Sequence, residues 1–110
     1  MPHSAFSPGA VAVITGGASG IGLAAAVRFA RMGLRVCIAD LGEDRLASAA
    51  STLAAGAPRG ADDVMTMAAD VSQVDEVRRL EAAVRQRFGG TDVLMNNAGI
   101  QPGSGVFGPL

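Results

Sequence analysis

Tyrosine, tryptophan and lysine are missing altogether from these 110 residues, and aromatics of any kind make up only 4%. Any core must therefore be filled by Ala, Val, Leu, Ile and Met, which suits closely packed layers of helix on sheet. Cysteine occurs once, as Cys37, so no internal disulfide is possible and a reducing cytoplasm is the expected compartment. That cysteine reads as a small core residue of a strand, not as a nucleophile. His3 and Cys37 make no metal pair, because zinc sites need three or four protein ligands. No apolar run approaches the roughly 20 residues of a spanning helix, and Met1 to Gly9 lack the basic start and apolar stretch of a secretory leader. A net charge of −1, with arginines alternating with acids, offers no basic face to a nucleic acid. The expectation is one small domain, residues 10–110, behind a flexible N-terminus of residues 1–9, with no membrane, nucleic-acid or metal partner.

What is present alternates between strand and helix patterns, and each switch is punctuated. Ala10 to Thr15 is a short apolar run of the kind a strand buried on both faces produces. After Gly16-Gly17, a helix is predicted over Gly20 to Met32, with Ile21, Leu23, Ala24, Val27 and Ala30 or Arg31 in helical sequence and Gly33 as its stop. Arg35 to Asp40 reads as a second strand. Glu43 to Ala55 reads as a second helix, with Glu43 and Asp44 in the first turn, where carboxylates suit the helix dipole. Gly56 to Asp63 reads as a loop and Val64 to Ala69 as a third strand.

Ser72 followed by Asp75 resembles a loose capping box opening a third helix to about Phe88, whose inward stripe is Val74, Val77, Leu80 or Glu81, Val84 and Phe88. Asp75 with Arg79 and Glu81 with Arg85 are spaced as pairs on its solvated side, worth about 0.3 kcal/mol each. Asp92 to Met95 forms a fourth strand, and the residues from Ile100 onward read as loop. The order βαβαβαβ implies an α/β fold with a parallel sheet, right-handed crossovers and strand order 3-2-1-4: the N-terminal part of a doubly wound, Rossmann-type sheet. The fourth strand would lie at the sheet edge with one face short of cover.

Between the first strand and first helix stands Thr15-Gly16-Gly17-Ala18-Ser19-Gly20-Ile21-Gly22. Glycine permits tight or positive-φ turns and lets a pyrophosphate approach the backbone, while the free N–H groups at the helix start face the anion. Gly20-x-Gly22-x-x-Ala25 also satisfies the dinucleotide fingerprint, with alanine as its third member. A triphosphatase-type loop is excluded, since no Lys-Ser or Lys-Thr follows the glycines.

Asp40 lies twenty residues after Gly20 at the end of the second strand. There a carboxylate accepts hydrogen bonds from adenosine ribose hydroxyls and repels the 2′-phosphate of NADP, by at most about 4 kcal/mol for unit charges 4 Å apart at an effective dielectric of 20. Ala18, Ser19 and Leu41 supply no basic selector, so NAD is expected over NADP. Arg45 is the nearest cation and reads as a surface arginine. The competing reading of Asp40 is a plain strand-end cap.

Together with Asp70-Val71 after the third strand and Asn96-Asn97-Ala98-Gly99 after the fourth, this glycine turn resembles the short-chain dehydrogenase/reductase family, across essentially the whole chain from Ala10. The resemblance implies that Gly16, Ser19, Gly20, Ile21 and Gly22 line the pyrophosphate and that Asp40 and Leu41 hold the adenosine ribose. It also implies that Asp70 accepts from the adenine amino group beside the Val71 N–H. Asn97, Ala98 and Gly99, with Asn96, would border the riboses. From the residues alone, Asp70 could equally satisfy local amides, and Asn96 and Asn97 could equally tie strands together.

Members of that family work through a Ser, a Tyr-x-x-x-Lys pair and an Asn from later helices, and none of these is found here. No catalytic residue carries over, so this stretch by itself is expected to be inactive. Two readings stay open. One is the NAD-binding portion of an oxidoreductase moving hydride between nicotinamide and an alcohol or ketone, homo-oligomeric in its full-length form. The other is a non-catalytic nucleotide-binding remnant or decayed gene product.

Overall fold

A computed structural model describes residues 6–97. Four strands, β1 (Val11–Thr15), β2 (Arg35–Asp40), β3 (Val64–Ala68) and β4 (Val93–Asn96), alternate with three helices, α1 (Gly20–Arg31), α2 (Glu43–Gly56) and α3 (Val74–Phe88). All strand pairings are parallel, in the order β3-β2-β1-β4. This is the expected half of a doubly wound sheet. The β4 strand occupies one edge with Leu94 61% exposed, and it is displaced by one residue from the expected span.

Side chains alternating along the central strands feed two cores, because successive residues of a strand face opposite sides. Ala12, Ile14, Val36 and Ile38 pack beneath α1 and α2 against Ala26, Ala30, Leu46, Ala49 and Leu53. On the other face Val11, Val13, Cys37 and Ala39 meet Leu80, Val84 and Phe88 of α3. Each fully buried Ile14, Leu34, Ile38 and Leu53 side chain contributes about 1.5–3 kcal/mol relative to exposure.

Several local expectations need correction. The buried face of α1 is Gly22, Ala26 and Ala30, while Ile21 is 67% exposed. Ala26 and Ala30 let the helix lie close to the sheet, against Ala12, Ile14, Val36 and Ile38, while Gly22 alone meets the glycine turn. The third helix starts at Val74 behind Gln73, with no side-chain cap, so the Ser72–Asp75 box does not form. Instead the Ser72 hydroxyl and N–H both donate to Asp70 Oδ1, at 2.6 and 3.0 Å, a local turn that competes with capping.

On the solvated side of α3, Arg79 pairs with Glu76 at 3.5 Å; among the described residues neither Asp75–Arg79 nor Glu81–Arg85 closes. The segment read as loop contains a 3-10 turn, Gly60–Asp63. Its buried Asp63 accepts from Arg59, with Nη2 at 2.7 Å.

The strand register sets up everything at one end of the sheet. Thr15 is level with Ala39 on one side and Asn96 on the other, and Asp40 is level with Ala68. The carboxyl ends of all four strands therefore finish together. The glycine turn, the β2–α2 turn, the β3–α3 turn and Asn97 emerge at the same edge.

Candidate functional site

That edge holds a cleft of about 540 Å³ lined by Gly16, Ser19, Gly20, Ile21, Asp40, Leu41, Asp70, Val71 and Asn97, with Ala39, Ala69 and Ser72 completing its walls. Nine of the residues singled out from sequence are thus brought to one cavity. Gly22 lies behind it and is buried. Ala98 and Gly99 lie outside the described residues.

The glycine turn is shaped by two backbone requirements and one steric one. Gly16 and Gly20 have φ of 66° and 59°, a left-handed conformation that costs other residues about 1–2 kcal/mol. At Gly22 a Cβ would collide with the Gly16 carbonyl and stand 2.9 Å from Asn97 Nδ2. The absence of a side chain therefore lets α1 begin directly against the turn. Ser19 precedes the helix in an extended conformation and places no side-chain cap on its first turn, so those amides are left to the cleft.

Asp40 is bound into this turn. Its Oδ2 accepts the Ala18 N–H at 3.1 Å, and its Oδ1 accepts the Leu41 N–H at 2.7 Å and Arg45 Nη2 at 3.1 Å. Burial pushes the carboxyl up, but these three donors outweigh it and hold the group below its ordinary value, as the anion. The strand-end cap foreseen as its alternative role is thus present, and one acceptor position of Oδ2 remains open. Arg45, read from sequence as a surface arginine, is exposed but folded back as an ion-pair partner. No periodicity reveals that contact, since it spans a strand-to-helix turn.

Asp70 also divides its two oxygens. Oδ1 is taken by Ser72, which lowers the carboxyl from its ordinary value, and the Asp70 N–H donates to Glu76 Oε1 at 2.8 Å. Oδ2 accepts no hydrogen bond among the described residues, and Asp70 lines the cleft. The walls that sequence reading passed over, Ala39 and Ala69, each directly precede a selected aspartate at a strand end. Position was their only signal, as an alanine advertises no chemistry.

The β4 end is tied to β1 by side chains. Thr15 Oγ1 donates to Asn96 Oδ1 at 2.8 Å, and Asn97 Nδ2 donates to the Gly16 carbonyl at 3.2 Å. Asn96 therefore ties strands, while Asn97 does so and also lines the cleft. Cys37 is fully buried in β2, and burial pushes its thiol up to about 12 against a small opposing pull from Arg87. Among the described residues no group of three metal-ligating side chains is assembled, and no helix is long and apolar enough to cross a membrane.

The fold and motifs have close counterparts. Residues 10–108 match the family model described as short chain dehydrogenase. An uncharacterised oxidoreductase of Mycobacterium bovis is 46% identical over 90 residues, covering 81% of this chain and 34% of that protein. The 2-(R)-hydroxypropyl-CoM dehydrogenase of Xanthobacter autotrophicus is 43% identical over 90 residues, covering 82% of this chain and 35% of its own length. Among solved structures, L-sorbose reductase from Gluconobacter frateurii, complexed with NADPH and L-sorbose, superposes with a TM-score of 0.76 at 42% identity, covering 86% of this chain and 35% of that one. The chain thus spans about a third of the length of these relatives. With fold, motif order and sequence in agreement, it belongs to the short-chain dehydrogenase family.

Proposed function

We propose that residues 10–110 are the dinucleotide-binding portion of an oxidoreductase that moves hydride between a nicotinamide cofactor and an alcohol or ketone, with NAD taken in preference to NADP. The observation that carries this reading is the Asp40 carboxylate, held as an anion beside the glycine turn with an acceptor position open. The L-sorbose reductase neighbour holds NADPH, but among the described residues lining this cleft none is basic, and Arg45, the partner of Asp40, stands outside it. The charge of the cleft argues for a ribose diol and against a 2′-phosphate.

The cavity suits the group in two ways: Gly22 leaves a cradle that a Cβ would fill, and the start of α1 offers uncapped amides. Gly16, Ser19, Gly20, Ile21 and Gly22 would border the pyrophosphate, where backbone N–H groups and the helix dipole favour an anion. Asp40 would accept from the ribose and Leu41 would flank the adenine. Asp70 would receive the adenine amino group on its open oxygen, with the Val71 N–H beside it, and Asn97, Ala98 and Gly99 would border the riboses. When bound, the nicotinamide supplies or accepts hydride. The residues of this chain hold and orient the cofactor, and the proton-transfer groups of the family are not among them.

Titration with NAD and NADP tests the reading. The wild-type protein is expected to prefer NAD, and Asp40→Ala to erase most of that preference. Equal affinity for both cofactors before and after the substitution would refute it.

A further inference from the structure

The turn from β3 into α3 is held by a contact that the reading above leaves unused. The β2–β3 ladder ends where the Ala69 N–H donates to the Asp40 carbonyl at 3.0 Å. The next amide, that of Asp70, lies past the ladder, and among the described strands β3 has no neighbour on its other side. Glu76 Oε1 accepts that amide at 2.8 Å. Glu76 is the third residue of α3, a position from which a glutamate ordinarily reaches back to the amide of the N-cap residue. Here the N-cap amide, that of Gln73, donates instead to the Asp70 carbonyl at 3.0 Å. The glutamate reaches three residues further back and anchors the point where the chain leaves β3. Arg79 stands 3.5 Å from the same oxygen on the solvated side.

This anchoring leaves one donor and one acceptor unused in the turn. Of the four amides from Asp70 to Gln73, those of Asp70, Ser72 and Gln73 are bound within it, and that of Val71 has no partner among the described residues. On Asp70, Oδ1 is filled by Ser72 while Oδ2 accepts nothing. Asp70 and Val71 both line the cleft, and Glu76 does not. An acceptor and a donor on adjacent residues match the edge of a 6-aminopurine, whose amino group donates and whose N1 accepts. A 6-oxopurine presents the reverse, setting oxygen against carboxylate and N–H against N–H. That discrimination requires the carboxylate and the Val71 amide to keep a fixed relation, and the Asp70 backbone between them is what Glu76 holds.

Resting on the adenine role of Asp70 and Val71 proposed above, we infer that Glu76 is a positioning residue of the adenine subsite. It touches no ligand. It fixes the Asp70 amide, and with it the angle at which the carboxylate and the Val71 N–H meet the base, so the preference for a 6-amino over a 6-oxo purine depends on it.

The test compares NAD with nicotinamide hypoxanthine dinucleotide, its 6-oxo counterpart, by calorimetry on the natural protein carrying these residues. The wild type is expected to prefer NAD. Glu76→Asp keeps the charge at the start of α3 but draws the carboxylate out of reach of the Asp70 amide. It is expected to lower the preference about three- to tenfold, the scale of one hydrogen bond. Glu76→Gln keeps an acceptor oxygen at the same reach without the charge, and should retain the preference. A partly unfolded variant changes the stoichiometry and leaves the ratio of affinities intact. An unchanged ratio in Glu76→Asp, an equal loss of both ligands, or a fall in Glu76→Gln as large as in Glu76→Asp would overturn the inference. If Asp70→Ala abolishes the preference while Glu76→Asp keeps it, this inference alone falls. A wild type without the preference, or one that binds neither ligand, would remove the adenine reading as well.

Discussion

Asp40 reaches from the end of β2 to the glycine turn, its Oδ2 accepting the Ala18 N–H at 3.1 Å. One carboxylate thus shapes the loop proposed to border the pyrophosphate and stands where the ribose is proposed to lie. Turn geometry and cofactor choice become coupled through a single side chain.

That coupling gives a pH dependence. The Asp40 carboxyl is held below its ordinary value of 3.8 in the folded chain, so in acid the unfolded state binds the proton first. The stability it contributes is complete above that value and is lost as pH falls through the lower folded value. Asp70 acts in the same direction. Urea midpoints measured from pH 6 down to pH 2 should fall steeply at the acid end, and less steeply in Asp40→Asn. An identical acid limb in the variant would contradict the assignment.

Two glycines of the turn should fail in different ways. At Gly20, φ is 59° and nothing lies within 4 Å of a built Cβ, so Gly20→Ala should cost only backbone strain of about 1–2 kcal/mol. At Gly22 the added methyl meets the Gly16 carbonyl and Asn97. Gly22→Ala should cost about 1–3 kcal/mol by overpacking and also weaken dinucleotide binding by displacing α1 from the turn. Denaturant unfolding with parallel NAD titration separates the two; equal effects on binding would count against the close-approach argument.

Cys37 serves as an internal reporter of folding. Its thiol is buried and pushed up to about 12, so at pH 8 almost no thiolate exists in the folded chain. Alkylation should be slow in buffer and rapid in concentrated urea. Fast stoichiometric labelling of the native protein would show that the β2 core is not packed as described.

The β4 edge should be adhesive when these 110 residues are expressed alone. Leu94 is exposed beside an apolar hollow of about 350 Å³ that also involves Val77, Leu80 and Val84. A lysine on an edge strand discourages such pairing. Sedimentation should show self-association that Leu94→Lys reduces, whereas a monomer at all concentrations in both versions would contradict the expectation.

The alternation of elements was legible because short apolar runs mark the strands and glycines mark most of the switches, and strand ends then identified where chemistry would gather. What escaped was governed by close approach and by contacts across turns. Ile21 looks like a core residue by hydrophobicity, yet α1 buries Gly22 against the turn and Ala26 and Ala30 against the sheet. Ser72 looks like a helix cap, yet Asp70 is nearer to its hydroxyl. Arg45 looks like a surface cation, and only the turn from β2 into α2 places it on Asp40.

The central claim, that the strand-end cleft receives the adenosine dinucleotide, is tested most directly by an amide-resolved NMR titration of the labelled protein with NAD. The account predicts shifts concentrated at residues 16–22, at Asp40 and Leu41, and at residues 70–72. Shifts confined to the neighbouring apolar hollow, around Val77, Val84 and Leu94, or none at millimolar NAD, would contradict it.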